Sequence, residues 1–339
     1  MDSTPELLKL ERDNQNLRNQ LKRILEEKGF EIQISNKLQE LIKQYSPPRF
    51  SCRPKRGKIS SPISVCLQLN DWHIGEVIKG IGNEYNMAIA SRRIDYLTTK
   101  IIEWVDLNKL LGSVEEAVIL VLGDLISGNI HEELIETNDA GITQQSISAG
   151  YLLAQCVTMI SKYVPKVRVE FVIPDNHSRL TRKNTYKTAS RNMNHIVGYI
   201  AKQACSQYKN IRFNMHTEIK ARVQVSNMSY ILSHGHTIKG WCGIPWYGIE
   251  KLVGKESMIQ PFDKLILGHF HTPINTIKFN VGGSLSGTSE LDHAFGRVSE
   301  PCQTAWLVHP RYGEYNWTRF WLDPARRTAK ENGRQNQGS

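Results

Sequence analysis

The chain has 339 residues, 40% hydrophobic and 22% charged, with a formal net charge of +10 at pH 7. That length holds one large domain with appendages, and the composition is that of a water-soluble globular protein. No apolar run reaches the roughly 18 residues of a membrane span, and Met1–Pro5 lacks the charged-then-apolar layout of a secretion signal. A cytoplasmic protein with no membrane partner is expected.

The positive surplus is uneven. Residues 1–63 carry 13 Lys/Arg against 8 Asp/Glu and residues 324–339 carry 4 against 1, so the stretch between them sums to +2. Basic flanks around a near-neutral centre point to a polyanion partner, nucleic acid (DNA) first. The six cysteines (52, 66, 156, 205, 242, 302) are scattered with no Cys-x-x-Cys pair. Reduced thiols are therefore expected instead of disulfides or a thiolate metal site.

Residues 1–45 read as a helical, coiled-coil-like segment. Leu7, Asn14 and Leu21 fall at a positions and Leu10, Leu17 and Ile24 at d positions. A polar Asn at one a position fixes register in parallel pairs, so a homo-oligomer through residues 7–28 is expected. Gly29 interrupts the pattern, and a second amphipathic stretch runs from Ser35 to Tyr45. Residues 46–62, with four prolines and five Lys/Arg, read as a basic linker.

From residue 63 to 323 strands and helices alternate. Strands are expected at 63–69, 117–122, 167–173, 211–215, 221–225, 230–233, 265–267, 276–281, 304–308 and 315–321. Helices are expected at 92–107, 144–163 and 186–208. Apolar strands alternating with helices give an α/β fold of sheets covered by helices. A second, strand-rich half predicts a second sheet packed on the first, hence a four-layer α/β/β/α sandwich of two mixed sheets. Residues 324–339 read as a basic disordered tail.

Five short clusters follow predicted strands: Asp71-Trp72-His73, Gly123-Asp124, Asp175-Asn176-His177, His234-Gly235-His236 and Gly268-His269-Phe270-His271. Each alone is weak, since a Gly-Asp after a strand is usually a turn. Together they deliver carboxylates, an amide and imidazoles to the carboxyl ends of strands, where α/β sheets place their sites. Carboxylate with imidazole suits Mn, Fe, Zn or Co. Asp71, His73 and a late histidine would hold one metal, Asn176, His234 and another late histidine the second, and Asp124 would bridge them. Such a pair clamps a phosphoryl group and sharpens a water nucleophile, so phosphoester hydrolysis is expected, with His177 protonating the leaving oxygen. Arg179 and Arg182 lie close enough to bind a phosphate oxygen. His131 would line the cleft or cap a helix, and His236 would touch substrate or sit in a turn.

These motifs, in this order, resemble the calcineurin-like metallophosphoesterase superfamily over roughly residues 64–310. The resemblance implies two divalent metals, Mn first with Fe or Zn as alternatives. It puts Asp71, His73, Asp124 and His271 on one, and Asp124, Asn176, His234 and His269 on the other, with His177 catalytic. Asp71-Trp72-His73-Ile74-Gly75 is similar to the segment in the family's double-strand-break repair nucleases, and the layout to phage- and prophage-encoded members. A nuclease acting on DNA is thus implied, with phosphatase action on a phosphoprotein, nucleotide or other small ester as the alternative and a non-catalytic scaffold third. One residue departs from the pattern: Asp175 stands where the third motif carries Gly, adding a carboxylate near the metals.

Overall fold

Period-two burial along the strands decides the layers. In β1 (Pro62–Leu69), Ile63, Val65, Leu67 and Leu69 face one way while Cys66 faces the other. The same split separates Ala117 and Ile119 from Val118 and Leu120 in β2 (Ser113–Val121), and Ala305 and Leu307 from Trp306 and Val308 in β10 (Cys302–His309). One face packs on α2 (Met87–Asn108), α4 (Ile142–Ile160) and α5 (Asn194–Ala204). The other meets a second sheet through Val223, Val225, Tyr230, Leu232 and Ile266. That sheet's far face is covered by Ile249 and its neighbours on α6 (Trp246–Ile259). The result is the α/β/β/α sandwich expected from sequence.

This is a computed structural model describing residues 4–44, 61–80, 82–183, 189–239, 245–294, 296 and 298–323. It divides into two units, Met1–Gly57 and Lys58–Ser339. The first sheet runs β11-β10-β1-β2-β3-β4, where β3 is Lys166–Val172, β4 Ile211–His216 and β11 Gly313–Trp321. β1 to β4 are parallel, and β10 and β11 add antiparallel at one edge. The second runs β5-β6-β7-β9-β8, where β5 is Ala221–Val225, β6 Met228–Ser233, β7 Lys264–Leu267, β8 Ile274–Asn275 and β9 Phe279–Val281. β6, β7 and β9 are parallel.

Four expectations are corrected. Of the strand expected at 276–281 only Phe279–Val281 forms, as β9, because Thr276 accepts the Phe279 backbone N–H on its hydroxyl (2.9 Å) and closes a turn after the two-residue β8. The helix at 186–208 begins at Asn194, after a 3-10 turn at Ala189–Arg191, and residues 184–188 lie outside the described residues. α6 was not foreseen. In the first unit, α1 runs unbroken from Thr4 to Gln44. Gly29 costs a helix only about 1 kcal/mol, and apolar residues continue past it at Phe30, Ile32 and Ile34, all exposed. Exposed Leu10, Leu17, Leu21 and Ile24 line the heptad seam. The linker and tail, 46–60 and 324–339, lie outside the described residues, as do Cys52 and Cys242. Cys66, Cys156 and Cys205 are buried free thiols. No described helix is long and apolar enough to cross a membrane.

Candidate metal centre

All five clusters sit where parallel strands end: β1, β2 and β3 in one sheet, β6 and β7 in the other. Backbone bonds tie the loops together. Asp71 N–H donates to Gly123 O (3.1 Å), His73 N–H to Asp124 O (3.0 Å) and Gly268 N–H to His234 O (3.0 Å). The turns are tight enough that Asp71, His73, Asp124, His269 and His271 all have φ between 48° and 70°. A non-glycine residue held in that left-handed region costs about 1–3 kcal/mol and persists where surrounding structure enforces it. Five of the seven such residues described are in these clusters.

The side chains converge into three overlapping groups, and Asp124 belongs to two of them. Ligand atoms of Asp71, His73 and His271 lie within 4.8 Å of one another, as do those of Asp124, His234 and His269, while His73, Asp124 and His177 form a third such set between them. His234 Nε2 is 2.9 Å from both Asp124 Oδ2 and Asn176 Oδ1. His73 Nε2 faces His271 Nε2 at 3.1 Å.

Hydrogen bonds fix which atoms point inward. His234 Nδ1–H donates to Leu122 O (2.7 Å) and His271 Nδ1–H to Asp292 Oδ2 (3.0 Å), leaving both Nε2 atoms for the centre. Asp71 Oδ2 accepts from Asn70 Nδ2 (2.5 Å) and His269 N–H (2.8 Å), whereas buried Asp71 Oδ1 has no hydrogen-bond partner. A buried carboxylate oxygen without a partner is costly, and a cation among these imidazoles is the partner its chemistry fits. The donor set of hard oxygens and borderline nitrogens fits a first-row divalent ion.

Electrostatics agree with a cation site. Burial pushes the His73 imidazole well below its usual range, helped by His177 and His271. His234 is also buried, yet the Asp124 carboxylate overrides this and raises it to about 9. Burial would raise Asp124, but His234 and His177 hold it well below the carboxylate range.

Under Asp71 lies a buried amide network. Gln68 Nε2 donates to Asn70 Oδ1 (2.7 Å) and Leu267 O (2.8 Å), and Asn280 Nδ2 donates to Gln68 Oε1 (2.6 Å). Gln303 from β10 accepts the Asn70 N–H (2.9 Å) and donates to Asn70 O (3.1 Å). Neither this network nor Asp292 was read from the sequence. Carboxamides in strands carry no spacing signal, and Asp292 looks like a cap for its own short helix, α7 (Glu290–Ala294), because it accepts from Ser289 Oγ (3.0 Å).

His177 donates its backbone N–H to Asp124 Oδ1 (3.0 Å) and its Nδ1–H to Ser127 O (2.8 Å), so its Nε2 faces the cleft. Gly128 permits this turn, since a Cβ there would lie 1.9 Å from His177 O. His131 lines the same cleft and takes the N-cap position of α3 (Glu132–Thr137) without a side-chain cap bond. Arg179 does not face the cleft: its guanidinium donates to Asn176 O (2.6 Å) and Thr181 O (3.1 Å), bracing the loop. Arg182 is exposed and outside the cleft lining. His236 packs 5.5 Å from the His234 ring, also outside that lining.

Asp175 does not add a carboxylate to the cluster. Its Oδ2 accepts from Asp124 N–H (2.7 Å) and Ser178 Oγ (2.9 Å), its Oδ1 from Ser178 N–H and Asn192 Nδ2 (both 3.0 Å). It clamps the loop carrying Asp124 to the loop carrying Asn176. Asp175→Ala leaves buried donors unmatched at about 1–3 kcal/mol each. It should lower stability in urea by about 4 kcal/mol or more and weaken metal affinity about 10- to 100-fold; unchanged metal titrations would show that the clamp is idle.

A second expectation concerns stability. Metal at about 1,000 times its Kd should stabilise the fold by about 4 kcal/mol, raising Tm by roughly 8–16 °C for a unit of this size. Differential scanning calorimetry with Mn²⁺ against chelator reads this directly.

The site is thus a cluster of carboxylates and imidazoles able to hold metal, gathered at the carboxyl edge of two sheets. No protein-family model matches the chain. It is similar to the SPbeta prophage-derived uncharacterized protein YonJ of Bacillus subtilis (strain 168), 22% identical over 203 residues, which are 59% of this chain and 48% of that protein. The chain therefore spans about half the length of that relative. Similar solved structures include Zn²⁺-complexed Vps29 from Entamoeba histolytica, 14% identical, covering 76% of this chain and 99% of that one, TM-score 0.31. Another is the calcineurin-like phosphoesterase YfkN from Bacillus subtilis, 10% identical, covering 81% and 97%, TM-score 0.31. These likenesses are distant, and the ligand geometry carries the reading that follows.

Proposed function

We propose that the chain is a binuclear metal-dependent phosphoester hydrolase of the calcineurin-like kind. The observation that carries this is the run of overlapping ligand groups, Asp71 with His73 and His271 at one end, Asp124 with His234 and His269 at the other, and His73, Asp124 and His177 joining them. Asp71, His73, His271 and Asp124 would hold one ion, and Asp124, Asn176, His234 and His269 the other, Mn²⁺ first. Bound ions would supply Lewis acidity to phosphoryl oxygens and acidify the attacking water. The chain's own residues do the rest. Asp292 and Leu122 O set the tautomers of His271 and His234, and Ser127 O takes the Nδ1–H of His177, so in its imidazolium form His177 would hand the Nε2 proton to the departing oxygen. Hydrolysis of p-nitrophenyl and bis-p-nitrophenyl phosphate with Mn²⁺ and with chelator tests the reading; no metal-dependent release of nitrophenolate sinks it.

A nuclease is the second reading, favoured by the positive surplus of residues 1–63 and 324–339. DNA affinity should then fall steeply with salt through counterion release. We also propose that α1 pairs with a second copy, because its heptad seam is exposed along Leu10, Leu17, Leu21 and Ile24. Light scattering should give a multiple of the chain mass, and Leu10→Glu with Leu17→Glu should give the monomer.

A further inference from the structure

The cleft in front of the ligand cluster has a volume of about 880 Å³. Beyond the ligands its walls come from the residues after β1, from α3 with its approach, and from α7. Glu132 and Glu133 in the first turn of α3, and Glu290 at the start of α7, line it and are exposed. Glu76 lines it as well. Val77, Ile130, Leu134 and Leu291 line it too. No Lys or Arg is among the described lining residues. Lys79, the nearest basic residue in sequence to Glu76, meets Glu290 through its backbone N–H (3.2 Å).

Resting on the phosphoester reading above, we infer that the cleft selects a phosphodiester whose group beside the reacting phosphorus is an alkylammonium cation and not a nucleotide chain. A polynucleotide brings further phosphates to either side of the reacting one, and sites for it carry Lys and Arg along that path. Here that path carries carboxylates. An ammonium on a short alkyl arm matches both features of the wall: carbon against Val77, Ile130, Leu134 and Leu291, charge against Glu132, Glu133 and Glu290. In the reaction, water oxygen bonds to phosphorus and the P–O bond to the leaving alcohol or phenol breaks. An alcohol's leaving oxygen takes a proton, a nitrophenolate leaves without one while the water's proton passes to solvent, and the ammonium stays on the product phosphate.

Three esters that release the same p-nitrophenolate isolate the neighbouring group: p-nitrophenylphosphorylcholine, thymidine 5′-monophosphate p-nitrophenyl ester and bis-p-nitrophenyl phosphate. A unit charge about 4 Å away in water-like surroundings changes binding about fivefold. kcat/KM for the choline ester should therefore exceed that for the thymidine ester by about 25-fold or more, and the ratio should shrink as salt screens the exposed charges. In the triple variant Glu132→Gln, Glu133→Gln, Glu290→Gln the ratio should fall to about twofold. Turnover of all three esters with the thymidine ester equal or better, or a ratio that survives in the triple variant, would overturn this inference alone. Turnover of none of them would overturn the phosphoester reading and take this inference with it.

Discussion

Asp124→Asn should lower metal-dependent turnover by about a thousandfold or more. The substitution keeps shape, and its Oδ1 can still accept the His177 N–H that Asp124 Oδ1 takes at 3.0 Å. What goes is the negative charge that joins two of the three overlapping groups. Two-cation clamps supply several kcal/mol of transition-state stabilisation, and each 1.36 kcal/mol is tenfold in rate. Elemental analysis of the purified variant should find fewer than two ions per chain. Two tightly held ions with full turnover would remove Asp124 from the bridging role. The variant also loses the carboxylate that raises His234 to about 9. The His234 imidazole should therefore titrate lower in the variant.

His177→Ala should leave both ions in place and reduce kcat by about 10²- to 10⁴-fold, the range for a lost general acid. The effect should depend on the leaving group. A nitrophenol departs without a proton, so its ester should lose little. An alkyl ester, whose alkoxide needs the proton from Nε2, should lose most. Equal losses for both would give the His177 imidazole a positioning or charge-stabilising part, and not proton transfer, since the variant keeps the backbone bond to Asp124.

Much of this candidate centre was legible in the sequence because its proposed ligands follow apolar strands directly. In a parallel sheet such loops share one edge, so strand order alone gathered Asp71, Asp124 and Asn176, and likewise His234 and His269. What held those ligands was not legible. Gln68, Asn70, Asn280 and Gln303 are polar residues in or beside apolar strands, and the sequence gives no reason to pair positions 70 and 303. Asp175 illustrates the same limit from the other side. Its identity was conspicuous, but whether its carboxylate turned toward the cluster depended on Ser178 and Asn192, which only the fold brings near. Arg179 was misplaced because proximity in sequence to Asn176 fixed its distance and not its direction. The helix was divided at Gly29 because a local breaker was weighed above the apolar residues on both sides. The basic flanks argued for a polyanion, while the cleft itself is walled by glutamates, a contrast invisible before the chain is folded.

The position of β10 sets an order in time. It pairs with β1, Val65 against Leu307 and Gln68 against Thr304, across most of the domain's length. Contacts so distant in sequence form late. A chain growing from its amino end therefore carries every proposed ligand through His271 before it carries Gln303, which grips the backbone beside Asp71. Until that strand arrives, the first metal position has its side chains but not their frame. A chain cut short before Cys302 would keep the whole ligand set and lose the site, so protease nicks or premature stops in this stretch should read as loss of metal, not loss of ligands.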